Sequence, residues 1–277
     1  MPTISSVHLK FPLLLLLTLA LLGGFSAGQR AYGHGAGGDI ALFSTNGQVD
    51  IGFAILDDDD EDQLVFDPHE NVFSLVLLPQ NPNPVVPWQF GSSEPGFDAN
   101  EETLPPEADI AYNLLELQYW DGQSSEVLFT SATGINSGVA PTGKSDAEGG
   151  FHSHPLFGVA DPNGTAAEGV YVGKLTVSVE GLTDSAPYYM VSLVTDAVTG
   201  LGTVAEQEAA AEEIGEMAKL YSEDPLNNPA PTYGGSDFTF FANAISQVRA
   251  EAVPEPSSLA LAGILHVGTG SVRRRRS

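Results

Sequence analysis

The sequence contains no cysteine, which excludes disulfides, thiolate metal sites and cysteine nucleophiles together. It is almost as short of positive charge: 10 Lys and Arg stand against 36 Asp and Glu, a formal net charge of −26. Within residues 29–252 the balance is 5 basic residues (Arg30, Lys144, Lys174, Lys219, Arg249) to 35 acidic ones, or −30. A body so negative repels phosphate backbones and anionic lipid, so nucleic acid is excluded as a partner. Also missing are a Gly-x-Ser-x-Gly elbow, a P-loop and a His-Glu-x-x-His helix, each of which would signal a specific chemistry. No catalytic residue is assigned, and the chain is not expected to be an enzyme.

What is present begins with a polar start holding His8 and Lys10, then an apolar run over 11–22 with five leucines from Leu13 to Leu17. That run is short of the about 20 apolar residues a spanning helix needs. Small residues follow at once (Gly23, Gly24, Ser26, Ala27, Gly28). The pattern reads as a secretory signal peptide over residues 1–28, cleaved after Ser26 or Gly28. An uncleaved anchor is the alternative, and such anchors are longer.

The far end carries Pro254, Glu255 and Pro256, then Ser257 and Ser258, a mostly apolar stretch over 259–272, and Arg273, Arg274, Arg275 and Arg276 before Ser277. These parts in this order resemble the PEP-CTERM sorting signal: a Pro-Glu-Pro motif, a short membrane segment and an arginine-rich end. The resemblance covers residues 253–277. It implies recognition by an exosortase and delivery to the cell surface or an extracellular polysaccharide matrix. Independently, four arginines after an apolar stretch favour retention on the cytoplasmic side by the positive-inside rule. The tail departs from the usual pattern in its length of 14 residues and in the polar His266, Thr269 and Ser271, so membrane anchoring is expected to be weak or transient.

Between these ends, residues 29–252 read as one secreted β-rich body. Alternating stretches at 39–44 and 49–56 flank Thr45-Asn46-Gly47, a hairpin signal because Asn-Gly accepts positive φ angles. Further β-rich runs lie at 72–78, 112–120, 126–130, 169–180 and 188–195, with another expected at 238–245. Loops rich in Pro, Gly, Asn and Asp, such as 79–87 and 92–106, separate them. The expected fold class is mainly β, a β-sandwich-like body. One segment breaks the pattern: 204–222 is rich in Ala and Glu, with Ile214, Met217 and Tyr221 spaced for one helical face. It is expected as a single peripheral acidic helix, ended by the Pro-rich stretch 224–231.

The body holds four histidines: His34, His69, His152 and His154. Two of them form His152-Ser153-His154. On a strand, residues i and i+2 share a face, so both imidazoles can reach one ion, and neutral imidazole is a favoured zinc ligand. His34 or His69 would complete the set after folding. The competing reading is chance proximity of two histidines in a purely structural body.

The segments 152–157, 169–175 and 184–189 are similar to surface-anchored bacterial domains with a His-x-His strand followed by a Gly-x-Tyr strand. Those include PEP-CTERM proteins under zinc-uptake control and choice-of-anchor M proteins. Gly33-His34-Gly35 followed by Asp39-Ile40 looks like the N-terminus of the same group. The resemblance implies His34, His152 and His154 as ligands; His69 is added from the histidine count alone.

The run 57–62 offers carboxylates that hard cations prefer but lacks the spaced Asp-x-Asp-x-Asp-Gly pattern, and a solvated loop is the plainer reading. The sequence therefore points to an exported surface or matrix protein that binds zinc through histidines. The alternatives are a structural matrix component without a ligand and, with least support, an extracellular carbohydrate-acting enzyme.

Overall fold

A computed structural model describes residues 38–56, 64–67 and 70–252. The signal peptide, His34, the acidic run 57–62, His69 and the sorting segment 253–277 lie outside the described residues.

The chain opens with strands β1 (Asp39–Thr45) and β2 (Gln48–Leu56), paired antiparallel. Asn46 and Gly47 take φ of 54° and 80°, the two positive angles that let a two-residue turn match the strand twist. Strand β3 (Leu64–Asp67) pairs with β2. Next come β4 (Val72–Val76), β5 (Leu78–Pro79), β6 (Phe90–Ser92) and β7 (Phe97–Ala99), then the long β8 (Asp109–Trp120). The two-residue β9 (Thr130–Ser131) pairs with β8. It is followed by β10 (Asn136–Ala140), β11 (Gly143–Lys144), β12 (Phe151–Ser153), β13 (Leu156–Ala160), β14 (Gly169–Val179) and β15 (Tyr188–Val194). The chain then turns helical with α1 (Asp196–Thr199) and α2 (Val204–Glu223), makes the small hairpin β16 (Thr232–Tyr233) and β17 (Ser236–Asp237), and ends its described part in α3 (Thr239–Ala252).

The protein is therefore mainly β, with several sheets. The orders are β12-β7-β1-β2-β3, β10-β13-β6-β5 and β11-β8-β14-β15-β4. Alternation on the central strands divides the interior in two. On β14, Tyr171, Leu175, Val177 and Val179 enter one core with Ile40, Leu42, Phe97 and Phe151 from the five-stranded sheet and Phe157 and Val159 from the four-stranded one. Val170 and Val172, on the other face of β14, join Ala210, Ile214 and Ala218 of α2 and Phe241, Ile245 and Val248 of α3.

Three expectations change. The helix over 204–222 is present as α2, but it is not peripheral: Ala210, Ile214 and Ala218, four residues apart, form a fully buried stripe, while Met217 and Tyr221 are only half-buried. The run 238–245 is not a strand: from Thr239 onward it belongs to helix α3. Phe238, Phe241, Ala242, Ile245 and Val248 recur at helical spacing and are all buried, so the second core selects period 3.6 over period 2. The stretch 126–130 contributes little pairing; Val127 and Phe129 instead pack half-buried against the second core. In addition, 92–106 is not all loop, since β7 lies within it.

Helix α2 starts at a capping box. Thr203 Oγ1 accepts from the Glu206 backbone N–H at 3.2 Å, and Glu206 Oε2 accepts from the Thr203 N–H at 3.0 Å, which satisfies two amides that a helix start otherwise leaves open. Among the described residues no helix is long and apolar enough to cross a membrane.

Candidate metal centre

The site forms where three strands meet at one edge of the five-stranded sheet. Strand β7 pairs parallel to β1, with Ile40 beside Phe97 and Ala41 beside Asp98. Edge strand β12 pairs antiparallel to β7, with Phe151 opposite Ala99, His152 opposite Asp98 and Ser153 opposite Phe97. Ile40, Phe97 and Phe151 point into the first core. By period 2 their neighbours Asp39, Asp98 and His152 share the opposite face, together with His154 two residues beyond His152.

The described ligand atoms converge. Asp39, His152 and His154 each offer one such atom, all within 4.8 Å of one another. His154 Nε2 lies 3.8 Å and His152 Nδ1 3.9 Å from the same oxygen, Asp39 Oδ2. Burial is graded: Asp39 is 3% exposed, His154 half-buried and His152 exposed. The other Asp39 oxygen, Oδ1, accepts from the Gly96 N–H at 2.9 Å, which fixes the carboxylate against the strand.

Two further carboxylates contact the imidazoles: Asp98 at the His152 nitrogen that also faces Asp39, and Glu94 at the His154 nitrogen turned away from it. Asp98 Oδ2 is 3.2 Å from His152 Nδ1, and Glu94 Oε1 is 3.2 Å from His154 Nδ1. The Ser93 carbonyl oxygen is 3.3 Å from that same His154 nitrogen. A carbonyl only accepts, so the proton of neutral His154 belongs on Nδ1, leaving the Nε2 lone pair toward Asp39. Burial pushes the Asp98 carboxyl above its usual range, the bond and charge of His152 oppose that rise, and the negative charge of Asp39 adds to it. Two carboxylates held close with little water around them favour a cation beside them.

Gly96 gives the His154 ring its place. A Cβ there would lie 2.7 Å from His154 Cε1 and Nδ1 and 3.1 Å from Asp39 Oδ1, closer than side-chain atoms approach.

Of the four histidines read as ligands, the structure brings His152 and His154 together; His34 and His69 lie outside the described residues. The sequence reading missed Asp39 and the flanking Asp98 and Glu94. A usable signal was Asp39 opening a run whose next three residues, Ile40, Ala41 and Leu42, are all apolar. Chemically the set offers two borderline imidazole nitrogens and a hard carboxylate oxygen, the donor mixture that zinc accepts.

No protein-family model matches the chain, and no curated protein or solved structure matches it.

Proposed function

We propose that the chain is an exported surface or extracellular-matrix protein, sorted by an exosortase through residues 253–277, whose β-rich body holds a zinc ion at Asp39, His152 and His154. The observation that carries the metal reading is the convergence of His152 Nδ1 and His154 Nε2 on Asp39 Oδ2 at 3.9 and 3.8 Å. These separations exceed a hydrogen bond and approach the spacing of donors around one ion. His34, read as a ligand from the sequence, lies outside the described residues. It remains a proposed additional ligand, and His69 a weaker one.

Zinc binding by the protein, compared with His152→Ala/His154→Ala, tests the metal reading. One zinc per parent chain and none in the double variant supports it. Equal binding by both removes it and leaves the structural matrix protein without a ligand as the better account.

The sorting proposal rests on the Pro254-Glu255-Pro256 motif, the apolar stretch and the arginine end, and it names an exosortase and an extracellular polysaccharide as partners. Deleting residues 253–277 should leave export intact and release the protein into the medium. Retention of the truncated protein on cells would refute that role for the tail. The third reading, an extracellular carbohydrate-acting enzyme, has no catalytic sequence motif behind it.

A further inference from the structure

We infer that Glu94 is the positioning residue of this site: its carboxylate holds the proton of His154 on Nδ1 and so leaves Nε2 as the nitrogen that meets the ion. The inference rests on the zinc reading above and deepens it, from which residues ligate to what sets one of them in its ligating form.

The geometry at the two ring nitrogens is the first argument. Glu94 Oε1 lies 3.2 Å and the Ser93 carbonyl oxygen 3.3 Å from His154 Nδ1, while Nε2 lies 3.8 Å from Asp39 Oδ2. Both neighbours of Nδ1 accept hydrogen bonds. With the proton on Nε2 instead, the Nδ1 lone pair would face two acceptors and an N–H would point at the position of the ion. A carboxylate behind a ligating histidine is the arrangement that fixes its tautomer and ring orientation.

The backbone around Glu94 supplies the second argument. Ser92 Oγ accepts from the Glu94 N–H at 3.1 Å and donates to the Glu94 carbonyl oxygen at 2.9 Å, which pins the residue just past the end of β6. Two residues on, the Gly96 N–H donates to Asp39 Oδ1 at 2.9 Å. The short connection between β6 and β7 thus holds the far atom of both ligands, Nδ1 of His154 and Oδ1 of Asp39, and turns their near atoms toward each other. Asp98 does not do the same for His152, because it contacts the nitrogen that also faces Asp39.

Magnitudes bound the effect. Removing the partner behind a ligating histidine costs about 10–100-fold in metal affinity. The Glu94 side chain is 55% exposed, so solvent moderates its pull on the proton, and the Ser93 carbonyl remains as an acceptor when Glu94 is gone. Both place the loss near the lower end of that range.

The test titrates the full-length protein with zinc in ~0.15 M salt as parent, Glu94→Ala and Glu94→Gln, and reads the His154 ring by two-bond proton–nitrogen NMR at about pH 8, where ordinary imidazole is neutral. The zinc-free parent should carry the proton on Nδ1, and added zinc should shift Nε2 while Nδ1 keeps its proton. Glu94→Ala should bind zinc about 10-fold more weakly and show a mixture of tautomers. Glu94→Gln retains an accepting oxygen without the charge, and should restore the parent tautomer and most of the affinity. If Glu94→Ala binds as tightly as the parent, or Glu94→Gln is as weak as Glu94→Ala, Glu94 does not position His154 and this inference fails while the zinc reading stands. A parent that binds no zinc overturns both.

Discussion

His154 Nε2 and Asp39 Oδ2 face one another across 3.8 Å, two electron-rich atoms from segments 115 residues apart. The local structure on each side is firm. Asp39 is held through Oδ1 by the Gly96 amide, and His154 is held through Nδ1 by Ser93 and Glu94. The gap between them is a product of strand pairing, not of loop collapse, and it is the geometric basis for assigning an ion there.

Gly96→Ala should weaken zinc binding by about 10-fold or more, the scale of disturbing an outer-shell partner, because the new methyl would lie 2.7 Å from the His154 ring. Zinc titration of that variant reads the effect. Unchanged affinity would mean that the ring position is not what sets binding.

Gly158→Ala tests the four-stranded sheet. A Cβ at Gly158 would collide with Trp88 Cγ, and Trp88 is itself 8% exposed, so the indole has little room to withdraw. Overpacking of this kind costs about 1–3 kcal/mol. Chemical unfolding followed by tryptophan fluorescence should show that loss together with an altered native emission from Trp88. A variant as stable as the parent would show that the indole relocates freely.

Thr203→Ala removes the hydroxyl at the start of α2 that accepts from Glu206 N–H. The expected loss is about 1 kcal/mol, within the usual 0.5–2 kcal/mol for such caps, read from the unfolding midpoint. The helix carries a buried stripe, so the loss should appear in global stability and not only as fraying. No change in midpoint would place the start of α2 outside the cooperative unit.

Asp237 accepts from the Thr239 N–H at 2.8 Å at the entry to α3, and its bonds to Thr239 hold the carboxyl below its ordinary value of 3.8. A depressed carboxyl contributes stability above its unfolded pKa and loses it as pH falls through the lower folded one. The helical signal of the parent should therefore weaken on acidification below about pH 3.8, the unfolded value. Asp237→Asn, measured by circular dichroism, should lack that component. An identical acid limb in both would assign it to other carboxylates.

Much of the fold was readable because local and tertiary preferences agreed. Asn46-Gly47 marks the first hairpin by its backbone freedom. Val204 to Glu223 announces itself through Ala and Glu content, with Thr203 and Glu206 closing its first turn. Helix α3 was misread because Phe238, Thr239 and Phe240 are strand-favouring residues at its start, and only packing of Phe241, Ile245 and Val248 against β14 and β15 decides for the helix. Strand β7 was hidden for another reason: three residues, Phe97–Ala99, are too few to show a period. The site was half-legible. His152 and His154 stand out among four body histidines, whereas Asp39 and Asp98 are two of 36 acidic residues. Only the register of β1, β7 and β12 distinguishes them from the solvated majority.

The central claim is a histidine-and-carboxylate zinc site, and the most direct measurement is calorimetric titration of the protein with zinc in ~0.15 M salt, where exposed charges are screened beyond about 8 Å. That condition separates a true site from loose attraction to the acidic surface. The account predicts one zinc per chain, preference for zinc over magnesium, weaker binding on acidification because a protonated imidazole cannot ligate, and no binding by His152→Ala/His154→Ala. A double variant that binds zinc as tightly as the parent would contradict it.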